Sequence, residues 1–339
     1  MLHIEYLSLD DATDYLSGAG AGILGVLGFP ALPTDCGADV PSACVAAASL
    51  GTGIDAPALC EVWVSEGPVR RGTDGGVRYA IAGEFLFGVV SFPEGAGAIR
   101  DLAERAYGDI FAMLGKHEFP HVVRFWNYLT RINEDEDGLE RYRHFNIGRG
   151  AAFEAAGRFR EGAIPAACAL GTDAGNALTV YFVAAREGGR AVENPRQVSA
   201  YRYPPEHGPH SPTFSRAVLY PANEPRMLFV SGTASIVGHI TAHAGDVVAQ
   251  TRETLVNLRA IFAEAERLSR AGAFAPRDAS YKVYVRFAAD VEAVRREVAA
   301  ALGGEADVNY LRADICRDDL LVEIEAIAYA GCPPGPPGP

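Results

Sequence analysis

Residues 320–328 read LLVEIEAIA. Seven of the nine are apolar, and the other two are Glu323 and Glu325. An apolar run of this length predicts a buried strand. Successive side chains of a strand alternate faces, so Leu321, Glu323 and Glu325 share one face and Val322, Ile324 and Ala326 the other. A carboxylate removed from water costs several kcal/mol unless it is paired, protonated or used. The stretch therefore predicts a closing strand that carries two acidic groups inward, and the rest of the chain has to account for them.

Working back from it, VNYLRADI (308–315) predicts a strand and DVEAVRREVAAAL a helix opened by Asp290 at the N-cap position. YKVYVRF (281–287) predicts a strand, DVVAQTRETLVNLRAIFAEAERL a helix and RMLFVSGTASI (226–236) a strand. The first half has the same order. GVRYAIA and EFLFGVVSF (84–92) predict strands, and AIRDLAERAYGDIFAMLGKH predicts a helix, with Ile99, Leu102, Ala106, Ile110, Met113 and Leu114 at helical spacing. HVVRFWNYLTRI (121–132) is a strand, LERYRHFNIGRGAAFEA a helix, and PAACALGT and ALTVYFVAA are strands. Two β-α-β-α-β-β units joined by the Pro-rich YRYPPEHGPHSPTF define an α+β protein. We place an N-terminal unit at 1–190, a C-terminal unit with the glutamates at 195–330, and a disordered tail at 331–339, GCPPGPPGP. Two such sheets packed together leave a cleft, a common place for a ligand site.

A net charge of −13 argues against a nucleic-acid or anionic-membrane partner, because both need a basic surface. It leaves room for a small anionic substrate held by a few arginines. The six cysteines are scattered with no CxxC pair, which reads as reduced thiols in a cytoplasmic protein. The opening MLHIEYLSLDD lacks the basic end and apolar stretch of a signal peptide, and AGILGVLGF is too short to span a bilayer.

Two motifs are weak. GAGILG (20–25) fits GxGxxG, but LDDATDYLSGA before it and GVLGFPALP after it do not make a strand and a helix, so it reads as a loop. GHITAHAGD sets His239 and His243 four apart with Asp246 nearby; its glycines and β-branched residues predict a strand end and no third ligand is in register. No metal and no cofactor is expected. In FWNYL, Trp126 and Tyr128 fall on one face with Arg124, as core packing or as a pocket wall. Arg149, Arg216 and Arg286 each interrupt an apolar neighbourhood, and three such positions beside a buried glutamate point to a site for a carboxylate-bearing ligand.

VSGTASIVGHITAHAGDVVAQTRETLVNL, then YKVYVRF and VEIEAIA, resemble the YjgF/RidA superfamily. That resemblance implies a chorismate-mutase-like α+β fold and a carboxylate-binding site in which the glutamate matching Glu323 helps activate water. The blocks RFWNYLTRIN, GLERYRHFNIGR, ENPRQVSAYRYP, GPHSPTFSRA, SGTASIVGH and ADICRDDLLVEIE, in that order, resemble a narrower group, the chorismatase family. Its members fuse two YjgF-like halves and remove pyruvate from chorismate without metal or organic cofactor. Hydrolytic members have alanine at the positions of Gly232 and Cys316, so this chain resembles the benzoate-forming branch, of the 3-hydroxybenzoate synthase type. His207 and His210 depart from the hydrolytic relatives.

The resemblance implies cleavage of an enol ether that begins with a proton delivered to carbon. Glu323 is the expected acid, its pKa raised by burial and by Glu325. Arg149, Arg216 and Arg286 are expected on the substrate carboxylates, with Tyr203 donating a further hydrogen bond and Trp126 and Tyr128 as pocket walls. Gly232 is expected to leave room beside the ring and Cys316 to steer it. The expected product is 3-hydroxybenzoate, possible 4-hydroxybenzoate beside it, and the expected state a monomer. The competing readings are a hydrolytic chorismatase, a RidA-like enamine or imine hydrolase, and a silent binding protein.

Overall fold

The structure is a computed structural model that describes residues 2–18, 22–34, 36–51, 58–269, 274–304 and 306–331. The tail expected at 331–339 lies outside those residues except for Gly331, as do Cys332 and the first two residues of GAGILG. Among the described residues, no helix is long and apolar enough to cross a membrane.

Three larger sheets carry the fold. Within the seven-stranded sheet, neighbouring strands run Ala166–Thr172, His121–Thr130, Asn176–Ala185, Phe85–Pro93 and Val77–Ala82. Within the six-stranded sheet the equivalent order is Asp307–Arg312, Ser280–Val285, Val322–Tyr329, Met227–Ala234 and Ala217–Tyr220. The first pair of each series is parallel and the rest are antiparallel. The repeat in element order is thus also a repeat of sheet topology.

Each sheet buries one face under two helices. Ile99–Lys116 and Arg141–Ala155 cover the first, Val247–Ser269 and Val291–Leu302 the second, each pair sealing its own apolar core. The uncovered faces turn toward each other and share a third core with a four-stranded sheet built from residues 2–65. Trp63 of that small sheet packs edge-on against Trp126, ring centroids 5.3 Å apart.

The two large sheets also meet edge to edge. Asp314–Ile315, from the second half, pairs with Ala166–Thr172 of the first. Ala166 bridges to Ser215, and the Ala167 N–H donates to Ser231 Oγ at 2.9 Å. A cavity opens at this seam.

Two local expectations change. Ile23–Phe29, read as part of a loop, is a fully buried strand. Its glycines misled the reading because they serve close packing: a Cβ on Gly25 would stand 2.1 Å from the Phe87 ring. Asp290 does occupy the N-cap of its helix, but its side chain makes no capping bond, because a 3₁₀ turn, Ala288–Asp290, leads in.

Candidate active site

The cavity at the seam has a volume of about 300 Å³. Its floor comes from Cys168 on strand Ala166–Thr172, Gly232 on Met227–Ala234 and Glu323 on Val322–Tyr329. Helix Arg141–Ala155 contributes Tyr142 and Arg149. The connector between the halves forms a wall with Tyr203, His207, Phe214 and Arg216, and the segment after Ile315 adds Cys316 and Arg317.

Glu323 is 3% exposed, and its Oε1 has no hydrogen-bond partner among the described residues. Burial, reinforced by the charge of Glu325, pushes its pKa up to about 8, against the opposing pull of Arg124 and Arg216. Glu323 is therefore mostly protonated at neutral pH.

Glu325, two residues on and equally buried, has the opposite fate. It accepts hydrogen bonds from Trp126 Nε1 at 2.9 Å and Tyr284 Oη at 3.1 Å, and pairs with Arg124. Lys282 Nζ lies 2.9 Å from Glu325 and 2.6 Å from Glu61, which comes from the N-terminal sheet. Burial alone would raise the pKa of Glu325, but Lys282 and Arg124 outweigh it and hold the carboxyl below its usual range. Two carboxylates and two cations thus neutralise one another, and Glu323 is left outside the balance.

Gly232 explains how Glu323 fits. It sits at a register shift between Val230 and Thr233, a bulge that aims the backbone at the neighbouring strand. A Cβ on Gly232 would stand 1.9 Å from Glu323 Oε1. The space left by the missing side chain holds the carboxyl group itself, where the sequence reading had placed the substrate ring.

Among the described residues, the cationic side of the cavity carries donors without acceptors. Arg216 spends Nη2 on the Val198 carbonyl and on Tyr203 Oη at 2.7 Å, while its Nε is unpartnered. Arg149 donates to Asn146 and stacks on Phe145, with its Nε also unpartnered. Two glycines flank Arg149 in the sequence. A Cβ on Gly148 would meet the Arg100 carbonyl at 2.0 Å, and one on Gly150 would meet the His210 ring at 2.2 Å, so close packing on both sides fixes that turn of helix. Arg317 holds the His239 carbonyl through Nη1 and leaves Nη2 free. A buried unpaired guanidinium N–H is costly, and three around one cavity beside a neutral carboxyl suit a ligand with carboxylate groups.

The structure thus brings Glu323, Gly232, Cys316, Arg149, Tyr203 and Arg216 together around the cavity. Three expected residues lie elsewhere. All the donors of Arg286 are taken, by the carbonyls of Leu320, Ile315 and Arg317 and by Asn133 and Asp314, so none is left for a substrate. Trp126 stacks on Tyr181 with centroids 4.6 Å apart and serves Glu325; Tyr128 bonds Tyr284 at 2.7 Å. Both hold the charge network behind the cavity. Of the departures, His207 lines the cavity, while His210 packs on Gly150. Arg317 and Lys282 were missed. The motif ADICRDD contained the first beside Cys316, and a lysine inside the apolar YKVYV was a signal for the second.

Two related α+β units thus meet at a seam that holds a buried acid and, among the described residues, arginines with unpartnered donors. A family model described as Chorismatase FkbO/Hyg5-like, N-terminal, matches residues 61–184. A chorismatase of Streptomyces rapamycinicus is 43% identical over 277 residues, covering 79% of this chain and 82% of that one. A 3-hydroxybenzoate synthase of Streptomyces hygroscopicus is 39% identical over 278 residues, 79% of this chain and 81% of that one. A chorismatase crystal structure superposes with a TM-score of 0.85 and 35% identity over 97% of this chain and 98% of its own. The chain belongs to the chorismatase family and is an enzyme of that family.

Proposed function

We propose that the enzyme cleaves the enolpyruvyl ether of chorismate to pyruvate and 3-hydroxybenzoate, with Glu323 as proton donor. The observation that carries this reading is the neutral, buried carboxyl of Glu323, whose unpartnered oxygen faces a cavity ringed by unsatisfied guanidinium groups. Carbon is a poor proton acceptor, so the acid must be held protonated and close.

Arg149, Arg216 and Arg317 take the two carboxylates of the substrate, and Tyr203, which accepts from Arg216, donates its own proton into the cavity. Glu323 protonates the terminal methylene carbon of the enol ether, and the ether oxygen stabilises the cation that forms. The neighbouring ring hydroxyl then displaces the enolpyruvyl oxygen. The hydroxyl proton passes to the carboxylate of Glu323, pyruvate leaves, and the hydroxyl oxygen bridges the two ring carbons as an epoxide. The epoxide's original C–O bond then breaks, the carbon that keeps the oxygen loses its hydrogen as a proton, the oxygen takes up a proton, and the ring aromatises as 3-hydroxybenzoate. Every atom of both products comes from chorismate, so no water is consumed. Hydrolysis to a diol would instead take up one water.

Incubating the purified enzyme with chorismate, assaying pyruvate and separating the aromatic products tests this. Equal amounts of pyruvate and 3-hydroxybenzoate support it. A non-aromatic diol would overturn the product, and no pyruvate above the spontaneous rate would overturn the reaction.

A further inference from the structure

Glu206, His207 and His239 take no part in the chemistry above. Glu206 and His207 belong to the 3₁₀ turn Pro205–His207 of the connector. His239 stands in the hairpin between Ile236–Val237 and Ile240–Thr241. The sequence reading paired His239 with His243, but His243 turns away, with φ +60 and its ring 3.8 Å from Glu253.

His207 Nε2 lies 3.0 Å from His239 Nδ1, and Glu206 Oε1 lies 3.4 Å from the same Nδ1 and 3.7 Å from the same Nε2. Bonds of about 2.0–2.1 Å to a tetrahedral zinc ion put its ligand atoms about 3.3–3.4 Å apart. The three edges bracket that spacing, so one ion can reach all three atoms. A hydrogen bond between the rings accounts for the shortest edge alone. It leaves unexplained why a carboxylate oxygen stands at ligand spacing from both nitrogens. Two imidazoles and one carboxylate are also a zinc-binding set, with the fourth position open to water.

The surroundings support the set. His207 packs against Tyr203 with ring centroids 5.1 Å apart, and the His239 carbonyl is held by Arg317 Nη1 at 2.9 Å. The side chains of His207 and His239 are 21% and 29% exposed, enough for an ion to reach them. Among the described residues no other three His, Cys, Asp or Glu side chains converge in this way.

We infer that Glu206, His207 and His239 form a binding site for a divalent transition ion of the zinc class at the rim of the active-site cavity. A bound ion ties the connector turn to the hairpin. Both segments line the cavity, the turn through Glu206 and His207 and the hairpin through Ile236 and Ile240, so loading slows passage of substrate and product. The slowing rests on the proposed chorismate reaction; the binding does not.

The test titrates the full chain with zinc chloride against a competing chromophoric chelator and records X-ray absorption of the bound zinc. One zinc per chain with nitrogen and oxygen ligands is expected, and His239→Ala should weaken it by at least about tenfold. Zinc should slow chorismate turnover in the parent enzyme, reversibly with chelator, and leave His239→Ala unaffected. No binding at micromolar free zinc, sulfur ligands, or unchanged affinity in His239→Ala overturns the site. Binding that meets the first expectations with an unchanged rate overturns the latch. A chain that turns over no chorismate still yields the binding answer, which separates the two failures.

Discussion

At the scale of single residues, the two glutamates of VEIE show how position sets chemistry. Both are buried, yet one is neutralised by paired cations and the other by a proton. The folded-state pKa of Glu323, about 8, lies above the ordinary glutamate value of 4.5, so the folded chain holds the proton longer than the unfolded one. The contribution of Glu323 to stability is therefore fully present below about pH 4.5 and is lost as pH rises to about 8, by a few kcal/mol in all. On the proposed mechanism, in which protonated Glu323 is the donor, turnover should fall over the same alkaline limb. Glu323→Gln should fold, lose the pH slope in denaturant titrations, and release pyruvate at least about 10²-fold more slowly; near-normal release would sink the acid assignment. Gly232→Ala places a methyl where the carboxyl now sits, and the flexible glutamate will swing rather than the backbone move. Together with Cys316→Ala it should shift product from hydroxybenzoate toward the diol, read by chromatography. An unchanged ratio would place the choice of product elsewhere.

At the scale of elements, Arg286 is the main fastening of the segment between Asp314 and Leu320. That segment leaves the seven-stranded sheet, carries Cys316 and Arg317 into the cavity and enters the closing strand. Arg286→Ala strands three carbonyls and a carboxylate at once. We expect a loss of about 2–4 kcal/mol in denaturant unfolding and a raised KM for chorismate. A variant with parent stability and KM would show that the segment is held by its flanking strands alone. The sequence signal for Arg286, a cation ending an apolar strand, was legible, but its role was not. A strand-end arginine can face a ligand or curl back on local carbonyls, and only the path of residues 314–320 decides between them.

At the scale of the whole molecule, the charge network behind the cavity draws on all three large sheets: Glu61 from the N-terminal sheet, Arg124 and Tyr181 from the seven-stranded one, Lys282 and Glu325 from the six-stranded one. The N-terminal sheet therefore joins the charge network around Glu325 without lining the cavity. Glu61→Gln keeps a side chain able to bond Trp63 but leaves Lys282 facing one carboxylate instead of two. The uncompensated positive charge favours the ionised form of Glu323. The alkaline limb of the rate profile should move to lower pH by on the order of one unit, with rates converging in acid. An unmoved limb would mean that Glu61 matters for folding alone.

The sequence by itself determined the α+β class, the order of the main elements from Val77 onward, the repeat of the two halves and the acidic strand at the end, because side-chain periodicity is a local property; the four-stranded sheet of residues 2–65 was not read from it. It also pointed to Arg149 and Arg216, as cations set in apolar surroundings, and the family resemblance pointed to Tyr203, Gly232 and Cys316. Only the tertiary structure decided which glutamate is charged, that Arg286, Trp126 and Tyr128 face away from the cavity, and that the glycines of the first apolar run lie in a buried strand. Each of those depends on a partner far away in the chain: Glu325 on Lys282 and Arg124, Gly25 on Phe87, Gly232 on Glu323. Electrostatic neutrality and close packing are settled between elements, and no local pattern records which elements will meet.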